Sequence, residues 1–473
     1  MADGAIVVLD CGKTLAKLSL WSADGSPIDR ETRANSRIET GEYVALDAAG
    51  IEAWVADILS DFARRARISS IIPVSHGAAA AIVRDQQLAC PPMDYEEPIP
   101  AALRRHYDGL RDPFEETGSP ALPDGLNLGA QLFRLQSIYP DLWSGNEIIM
   151  PWAQYWSWLL CGVPAMEVTS LGCHSDLWRP LEHSPSRLAQ AQGWADHFAP
   201  LAQAGDVLGT LSPEWAERTG LLADVRVHCG LHDSNAALVA ARAFPEIAQQ
   251  EATILSTGTW FVAMRAPAPG TPVDIGTLPE DRDCTVNVDV FGLPIPSARF
   301  MGGREIETLI GLDTRRIDIR PDQPALVAAV PTVLADNAMV LPTFAAGVGP
   351  FPHGRGRWIN MPTDAAARRA AVSIYAALVA DVSLDLIGAR ERILVEGRFA
   401  EAEVFVRALA TLRPGSRVYV SNAHNDVSFG ALRLLIPDLA PQTALSEVRP
   451  LDVDLSGYRA SWLREAERAE LAA

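Results

Sequence analysis

Apolar runs that end on glycine, hydroxyl or acidic residues recur along this chain. Residues 5–10 form such a run, closed by Asp10, and the turn CGKT at 11–14 leads into a second run at 15–21. Short apolar runs between turn residues predict buried strands, here a β-hairpin. A carboxylate and several backbone N–H groups at one strand edge suit Mg²⁺ and a phosphate chain. An ordinary hairpin with an acid at its tip is the alternative.

A second hairpin of the same design is predicted in the other half of the chain. Residues 252–264 read ATILSTGTWFVAM, an apolar strand followed by a turn with Gly258 and Thr259 and by a returning strand. Two such hairpins suggest a duplicated domain, with each copy offering its turn to one phosphate chain. This repeat is the strongest argument for a phosphate site that the residues alone provide.

Strands and helices alternate over the rest of the chain. Residues 50–67 and 365–387 predict long helices, and residues 71–74 and 394–397 predict strands. Residues 148–160, rich in aromatic side chains, also predict a helix. Alternation of this kind implies α/β layers.

Candidate ligand-binding residues follow strands or lie among aromatic side chains. His76 and Gly77 come directly after one strand and can contact a ligand, although a histidine satisfied at a strand end is the commoner case. Asp233 precedes an alanine-rich segment, where it can serve both as a helix cap and as a base for a bound hydroxyl. Gln154 lies in the aromatic-rich helix, and the hydroxyls of a sugar would satisfy its amide.

Composition narrows the class of protein. A chain of 473 residues implies roughly two or three domains, and 48% hydrophobic with 21% charged residues describes a well-packed chain. The net charge of −19 argues against a nucleic acid or an anionic membrane as partner. The six cysteines lack CxxC spacing, and no signal peptide or membrane span is predicted, so we expect a cytoplasmic protein with reduced thiols.

The order of the motifs resembles the FGGY family of carbohydrate kinases. The motifs are DxGKT at 10–14, SHG at 75–77, GLHDS at 230–234, STGTW at 256–260, MGG at 301–303 and VEG at 395–397. Together they span nearly the whole chain. The segments at 231–234 and 256–260 are most similar to the rhamnulokinase and fuculokinase branch, whereas 75–77 is similar to the xylulokinase pattern.

The resemblance implies two actin-like, ribonuclease H-like α/β domains that close over a central cleft. We expect a sugar-binding domain at 1–245, a nucleotide-binding domain at 246–460 and a tail at 461–473. The implied reaction transfers the γ-phosphoryl group of ATP to a terminal hydroxyl of a ketose or polyol. The implied partners are ATP, Mg²⁺ and a small sugar, with no nucleic acid and no membrane, and a homodimer is allowed.

The resemblance and its departures also assign roles to single residues. Asp233 matches the catalytic base, and the metal would be held by Asp10 and Asp233. The predicted sugar contacts are His76, Gly77, Gln154 and Asp233. The predicted nucleotide site comprises Gly12, Lys13, Thr14, Gly258, Thr259, Gly302, Gly303, Gly397 and Arg398.

Departures from the family pattern affect the ends of the site. Glu396 and Arg398 flank a single glycine where the family has a glycine run, so Arg398 is a candidate for stacking on adenine. Gln154 stands where relatives often carry Asp before Tyr. Aromatic walls from Trp152 or Trp156 would suit the methyl group of a 6-deoxyketose such as L-rhamnulose or L-fuculose. A ketopentose (ribulose or xylulose) or a polyol is the alternative substrate.

The same residues suggest three other classes of protein. A P-loop kinase is excluded because Val7 stands where its first glycine belongs and a strand follows the turn. A Rossmann dehydrogenase is excluded because the first turn lacks GxGxxG. A non-catalytic sugar- or nucleotide-binding relative is the remaining competitor, and the presence of both Asp10 and Asp233 argues against it.

Overall fold

The computed structural model describes residues 4–314, 316–421 and 427–471. The chain divides into two compact units. The N-terminal unit comprises the described parts of Met1–Ala243, Val286–Pro294 and Asn425–Ala440, and the C-terminal unit those of Phe244–Thr285, Ile295–His424 and Pro441–Ala473. The predicted boundary after residue 245 lies close to the first division, whereas the two later segments of the N-terminal unit are absent from the sequence prediction.

The strands are numbered in chain order. They are β1 (Ala5–Cys11), β2 (Leu15–Trp21), β3 (Pro27–Ala34), β4 (Arg37–Glu39), β5 (Val44–Leu46), β6 (Ile68–Ser75), β7 (Ala80–Arg84), β8 (Gln87–Leu88), β9 (Ile148–Pro151), β10 (Trp178–Arg179), β11 (Ser184–Pro185), β12 (Val207–Thr210), β13 (Arg226–His228), β14 (Leu231–His232), β15 (Ala252–Thr257), β16 (Phe261–Ala266), β17 (Cys284–Val288), β18 (Pro294–Phe300), β19 (Met339–Leu341), β20 (Arg357–Ile359), β21 (Arg392–Gly397), β22 (Arg417–Val420) and β23 (Ser446–Glu447).

The α-helices are numbered in the same way. They are α1 (Ala48–Arg65), α2 (Ala101–Asp108), α3 (Phe114–Thr117), α4 (Leu128–Ile138), α5 (Trp152–Cys161), α6 (Val168–Leu171), α7 (Arg187–Ala191), α8 (Pro213–Thr219), α9 (Asp233–Ala241), α10 (Gly302–Ile310), α11 (Gln323–Ala335), α12 (Ala365–Leu386), α13 (Glu403–Leu412), α14 (Val427–Leu435) and α15 (Ser456–Leu471). A short 3₁₀ helix, Arg398–Glu401, follows β21.

The two units are built around the same arrangement of strands. In the N-terminal unit the sheet order is β12-β13-β6-β1-β2-β3, with β1 antiparallel to β2 and parallel to β6. In the C-terminal unit the order β18-β16-β15-β21-β22-β23 contains β15, which is antiparallel to β16 and parallel to β21. The hairpin β1–β2 and the hairpin β15–β16 therefore occupy equivalent positions, which agrees with the predicted internal repeat.

Strand β1 is buried on both faces, which explains its unbroken apolar sequence. Val7 and Leu9 pack into the main core of the N-terminal unit, while Ile6 and Val8 pack into a second core on the other face. Helices α9 and α14 contribute Ala236 and Leu432 to that second core. Because a strand covered on both faces needs apolar residues at every position, alternation is lost and the run is continuous.

Two predicted elements differ in the structure. The predicted helix at 148–160 is the strand β9 followed by α5, with Pro151 at the junction. Strand β9 pairs with β7, and proline is well tolerated next to a helix start because its missing N–H would be unpaired there. The predicted tail at 461–473 belongs largely to α15, where the buried Trp462 donates its indole N–H to the carbonyl of Val340 at 2.7 Å.

Candidate active site

The first turn places an ion pair at the end of β1. Asp10 and Lys17 are direct partners in the β1–β2 ladder, and Lys17 Nζ lies 2.7 Å from Asp10 Oδ2. Asp10 is 5% exposed, whereas the Lys17 side chain retains 29% of its surface. Since directly opposed residues share one face of a sheet, the hairpin register itself fixes this pair. Lys17 was not singled out by the sequence prediction.

Lys13, which was predicted to bind nucleotide, forms ion pairs with the loop at 94–96. Its Nζ lies 2.9 Å from Asp94 Oδ1 and 2.7 Å from Glu96 Oε2. The ammonium also lies 4.0 Å from the centre of the Tyr95 ring. The neighbouring Gly12 accepts a hydrogen bond from Asn35 Nδ2 at 2.8 Å through its carbonyl group. The turn is thus held by side chains from outside the hairpin.

His76 and Gly77 follow β6, as predicted. Both ring nitrogens of His76 are buried and have no hydrogen-bond partner within the described residues. Burial lowers the pKa of His76 to about 4, so the ring is neutral at neutral pH. A Cβ on Gly77 would lie 2.9 Å from Cys173 Sγ and 3.1 Å from His232 Cδ2, so only glycine fits there. Two unsatisfied ring nitrogens mark a place where a ligand can supply partners.

Asp233 begins α9 and is brought beside β6 by the short strand β14. In that pairing His232 lies opposite Ser75, the residue before His76. The Asp233 side chain is one-third exposed, at 33%, and its Oδ1 lies 3.1 Å from His232 Nε2. Burial raises the pKa of Asp233, but the hydrogen bond and charge of His232 outweigh it and hold that pKa below its usual range. The carboxylate is therefore available as a proton acceptor.

His232 is fixed on several sides. Its backbone N–H donates to Thr169 Oγ1 at 3.0 Å, and its Nε2 lies 3.6 Å from Cys173 Sγ. Burial lowers its pKa, but Cys173 and Asp233 together raise that pKa well above the usual value. The pKa of Cys173 falls to about 5, because the charges of His174 and His232 exceed the effect of burial. The same ring nitrogen of His232 thus faces both the Cys173 sulfur and the Asp233 carboxylate, which favours the charged form of the ring.

Asn235 also contacts the ring of His232. The amide nitrogen of Asn235 stands 3.4 Å from His232 Nδ1, while the amide oxygen is buried without a partner. Asn235 therefore lies next to the ring nitrogen of His232 that does not face Asp233.

Gln154 is fully buried in α5. Its amide nitrogen donates to the carbonyl of Gly230 at 2.8 Å, in the segment just before β14, while its amide oxygen has no hydrogen-bond partner within the described residues. Trp152 and Trp156 are 1% and 0% exposed and pack edge-on against each other. The contact of Gln154 with the sugar stays a prediction, whereas the burial of the two tryptophans gives no support to an aromatic wall.

The C-terminal unit brings the second turn against the start of α10. A Cβ on Gly303 would lie 1.9 Å from the carbonyl oxygen of Gly258 and 3.1 Å from Cα of Thr259. A Cβ on Gly302 would come within 2.7 Å of the Phe300 ring. The glycines of the MGG motif thus allow helix and turn to approach closely, and both present backbone N–H groups.

The turn after β21 joins the same cluster. Gly397 has φ of +83°, and a Cβ there would lie 2.4 Å from the carbonyl oxygen of Thr257. Thr257 Oγ1 donates to the Glu396 carbonyl at 2.6 Å and accepts from the Phe399 N–H at 3.0 Å. The structure therefore unites the predicted residues Gly258, Thr259, Gly302, Gly303 and Gly397 in one region of the C-terminal unit.

Arg398 and Glu396 are each engaged by a neighbour. Arg398 Nη1 lies 3.0 Å from Glu307 Oε1 on α10, so the guanidinium is tied to that helix. Ser256 Oγ donates to Glu396 Oε1 at 2.7 Å. Burial raises the pKa of Glu396 to about 7, and the Ser256 hydrogen bond only partly opposes this. The stacking of Arg398 on adenine stays a prediction.

The binding of Mg²⁺ by Asp10 and Asp233 stays a prediction. Within the described ranges, no group of three or more His, Cys, Asp or Glu side chains is placed to hold a metal ion. Mg²⁺ usually keeps several waters and binds through one or two carboxylates plus substrate phosphates. The single buried carboxylate of Asp10 at the first turn fits that pattern.

Over the part of the chain that is described, no helix is long and apolar enough to cross a membrane.

Comparisons with known proteins agree with this arrangement. The family model for the C-terminal domain of FGGY carbohydrate kinases matches residues 249–444. A carbohydrate kinase from Novosphingobium aromaticivorans is 60% identical, with 97% of this chain and all of that chain covered and a TM-score of 0.93. An L-fuculokinase from Salmonella typhi is 25% identical over 371 residues, 74% of this chain and 72% of that protein. A xylulose kinase from Rhodospirillum rubrum shares the fold, with 16% identity, a TM-score of 0.79 and 99% and 98% of the two chains covered.

Proposed function

Because the chain belongs to the FGGY family of carbohydrate kinases, we propose that it phosphorylates a 6-deoxyketohexose such as L-fuculose or L-rhamnulose, with Asp233 as the general base. As a member of that family it is a phosphotransferase with an actin-like, ribonuclease H-like α/β fold. The observation that carries the proposal is the Asp233 carboxylate, one-third exposed and hydrogen-bonded to His232. A positioned, ionised carboxylate is what an attacking hydroxyl requires.

The proposed reaction is a direct phosphoryl transfer. As a terminal hydroxyl of the sugar forms its bond to the γ-phosphorus, the bond from that phosphorus to the β–γ bridging oxygen breaks. The hydroxyl proton passes to Asp233, and ADP leaves with the bridging oxygen. His232 orients the carboxylate through Nε2, so that the free oxygen faces the sugar.

The two turns offer groups that can neutralise the negative charge of the phosphates. The backbone N–H groups of Gly302 and Gly303 suit a phosphate chain, because the first N–H groups of a helix have no partner within the helix. Lys17 is the better candidate for a cation at the first turn than Lys13, because its side chain is 29% exposed and its ammonium lies 2.7 Å from the carboxylate of Asp10. Asp10 would hold Mg²⁺ that arrives with ATP, and that ion would neutralise charge on the transferring group.

The choice of sugar rests on sequence similarity and on His76. L-fuculokinases from Salmonella typhi and Escherichia coli are similar to this chain, with 25% identity over 371 aligned residues and 24% over 330. The unsatisfied ring nitrogens of His76 offer one donor and one acceptor to sugar hydroxyls. The buried tryptophans of α5 give no support to an aromatic wall. A ketopentose remains the second candidate, because the SHG motif at 75–77 resembles xylulokinases.

A screen of ADP release tests the proposal. The protein is supplied with Mg·ATP and with L-fuculose, L-rhamnulose, D-ribulose, D-xylulose and glycerol in parallel. We expect the highest kcat/KM with a 6-deoxyketohexose and background turnover with glycerol. A clear preference for a ketopentose would replace the substrate assignment. ADP release that no sugar raises above background would instead favour a non-catalytic binding protein.

A further inference from the structure

Lys13 lies on the first turn, where a phosphate ligand is expected, but its surroundings indicate another role. We propose that Lys13 is a positioning residue of the sugar site, holding the loop at 94–96 against His76, and that it does not bind nucleotide phosphate. The inference rests on the proposed kinase function and adds a sugar-side role to a residue of the presumed ATP turn. Every contact that carries it lies within the N-terminal unit.

The ammonium of Lys13 has its partners in place. Asp94 Oδ1 at 2.9 Å and Glu96 Oε2 at 2.7 Å accept its charge, and the Tyr95 ring faces it at 4.0 Å. Its side chain is 9% exposed, and that of Asp94 is 1% exposed. If Lys13 turned towards a phosphate, the buried Asp94 would lose one of its two cations among the described residues and keep Arg37, at 3.1 Å. Leaving a buried charge underpaired is strongly unfavourable, so the pair resists such a turn.

The loop held by Lys13 forms one side of the His76 environment. The Tyr95 ring packs edge-on against the His76 ring, with 5.5 Å between ring centres. The loop backbone is also tied down: Asp94 N–H donates to the Val44 carbonyl at 3.0 Å, and Gly125 N–H donates to the Tyr95 carbonyl at 3.0 Å. The remaining freedom is that of the Tyr95 side chain, which the Lys13 ammonium restrains. Loss of Lys13 should therefore move a wall of the sugar site.

The chain contains very few lysines, and the surroundings of Lys13 and Lys17 differ. Of the 40 basic residues, lysine occurs only at 13 and 17, and all the others are arginine. Both lysines lie on the first hairpin. Lys13 contacts two carboxylates and an aromatic ring, whereas Lys17 contacts one carboxylate and keeps 29% of its side-chain surface exposed. A compact ammonium is the appropriate cation where a bulky guanidinium would displace its neighbours. Lys13 is therefore assigned to the sugar site and Lys17 to the phosphate site.

Matched variants test this separation. Lys13→Met is compared with Lys17→Met in assays that vary sugar and ATP independently. We expect K13M to raise the KM for sugar about tenfold or more, a loss of about 1.4 kcal/mol, while the KM for ATP changes less than about twofold. K17M should show the reverse pattern or a fall in kcat. A raised KM for ATP in K13M, or unchanged KM values for both substrates, would overturn the proposal.

Two further variants guard against a folding defect in K13M. Asp94→Asn removes the buried charge at nearly constant volume and should reproduce the sugar-side defect. Glu96→Gln changes a carboxylate that is 51% exposed and should have a much smaller effect, because solvent screens that pair. Equal effects of D94N and E96Q, or an effect of D94N on ATP alone, would contradict the positioning role.

Amine labelling of the unaltered protein gives an answer that does not depend on turnover. Reductive methylation followed by mass spectrometry reports on Lys13 and Lys17 separately. Lys13 should react slowly, and its rate should not change when a non-hydrolysable Mg·ATP analogue is added. Protection of Lys13 by the analogue would overturn the inference even if no sugar substrate is found, so its failure is distinguishable from failure of the proposed function.

Discussion

His232 Nε2 lies 3.1 Å from Asp233 Oδ1, and the same ring is 3.6 Å from the Cys173 sulfur. Consecutive residues seldom bond side chain to side chain across a strand end. Here β14 ends at His232 and α9 begins at Asp233, so the change of direction brings the two side chains together. The arrangement gives the carboxylate an orientation and a charge partner from within the local sequence.

Replacement of Asp233 should separate chemistry from binding. Asp233→Asn keeps the shape of the side chain but removes the proton acceptor, so kcat should fall by roughly 10²–10⁴-fold. The affinity for ADP, measured by titration calorimetry, should change little because Asp233 belongs to neither of the two turns proposed to bind the phosphates. Retention of most of the wild-type kcat would remove Asp233 from the role of base.

The ring of His232 is expected to act through orientation. In His232→Leu the donor to Asp233 is lost, and kcat should drop about tenfold or more, while both KM values stay within about threefold. His232→Gln offers an amide N–H in a similar place and should recover most of the loss. Equal kinetics for the two variants would show that the hydrogen bond is unimportant.

The close approach of α10 to the second turn predicts a steric defect. Gly303→Ala would drive a methyl group into the Gly258 carbonyl, which stands 1.9 Å from that position. We expect a loss of about 1–3 kcal/mol in the free energy of unfolding and weaker ADP binding. Gly457→Ala is the control, because nothing lies within 4 Å of its Cβ position on α15. Thermal unfolding with and without ADP measures both effects, and a neutral G303A would contradict the close packing described.

Glu396 should make stability depend on pH. Burial raises its folded-state pKa to about 7, above the ordinary 4.5, so the folded state keeps a proton that the unfolded chain has released. The folded state then binds more protons, and stability falls as pH rises from about 4.5 to about 7. Glu396→Gln should flatten this part of the pH profile and raise the melting temperature at pH 8 relative to the wild type. Parallel profiles for the two proteins would show that the carboxyl is ionised in the folded state.

Local sequence patterns predicted the elements whose chemistry is local. The two hairpins, the glycines at 258, 302, 303 and 397, and Asp233 at a helix start are found where their motifs stand. A glycine or a helix-starting acid can be read from its neighbours, because backbone conformation decides its use. The alternation of strands and helices was readable for the same reason.

Residues whose roles depend on remote partners could not be read in this way. The ion pairs of Lys13 are with Asp94 and Glu96, which are distant in the sequence. Gln154 is in the core because its partner is the Gly230 carbonyl, and no local pattern announces that bond. Arg398 is held by Glu307 from a different helix. Tertiary pairing decided each of these positions.

The equivalent hairpins differ in the second-to-last pair of each ladder. That pair is Asp10 with Lys17 in the N-terminal unit and Ser256 with Val262 in the C-terminal unit. If both hairpins descend from one ancestral unit, one copy has specialised in ionic contacts and the other in shape and backbone donors. Added salt should then weaken the ionic contacts of the first hairpin and leave the backbone contacts of the second hairpin largely unchanged. If both turns bind phosphate as proposed, the two halves of one clamp would then differ in their sensitivity to ionic strength.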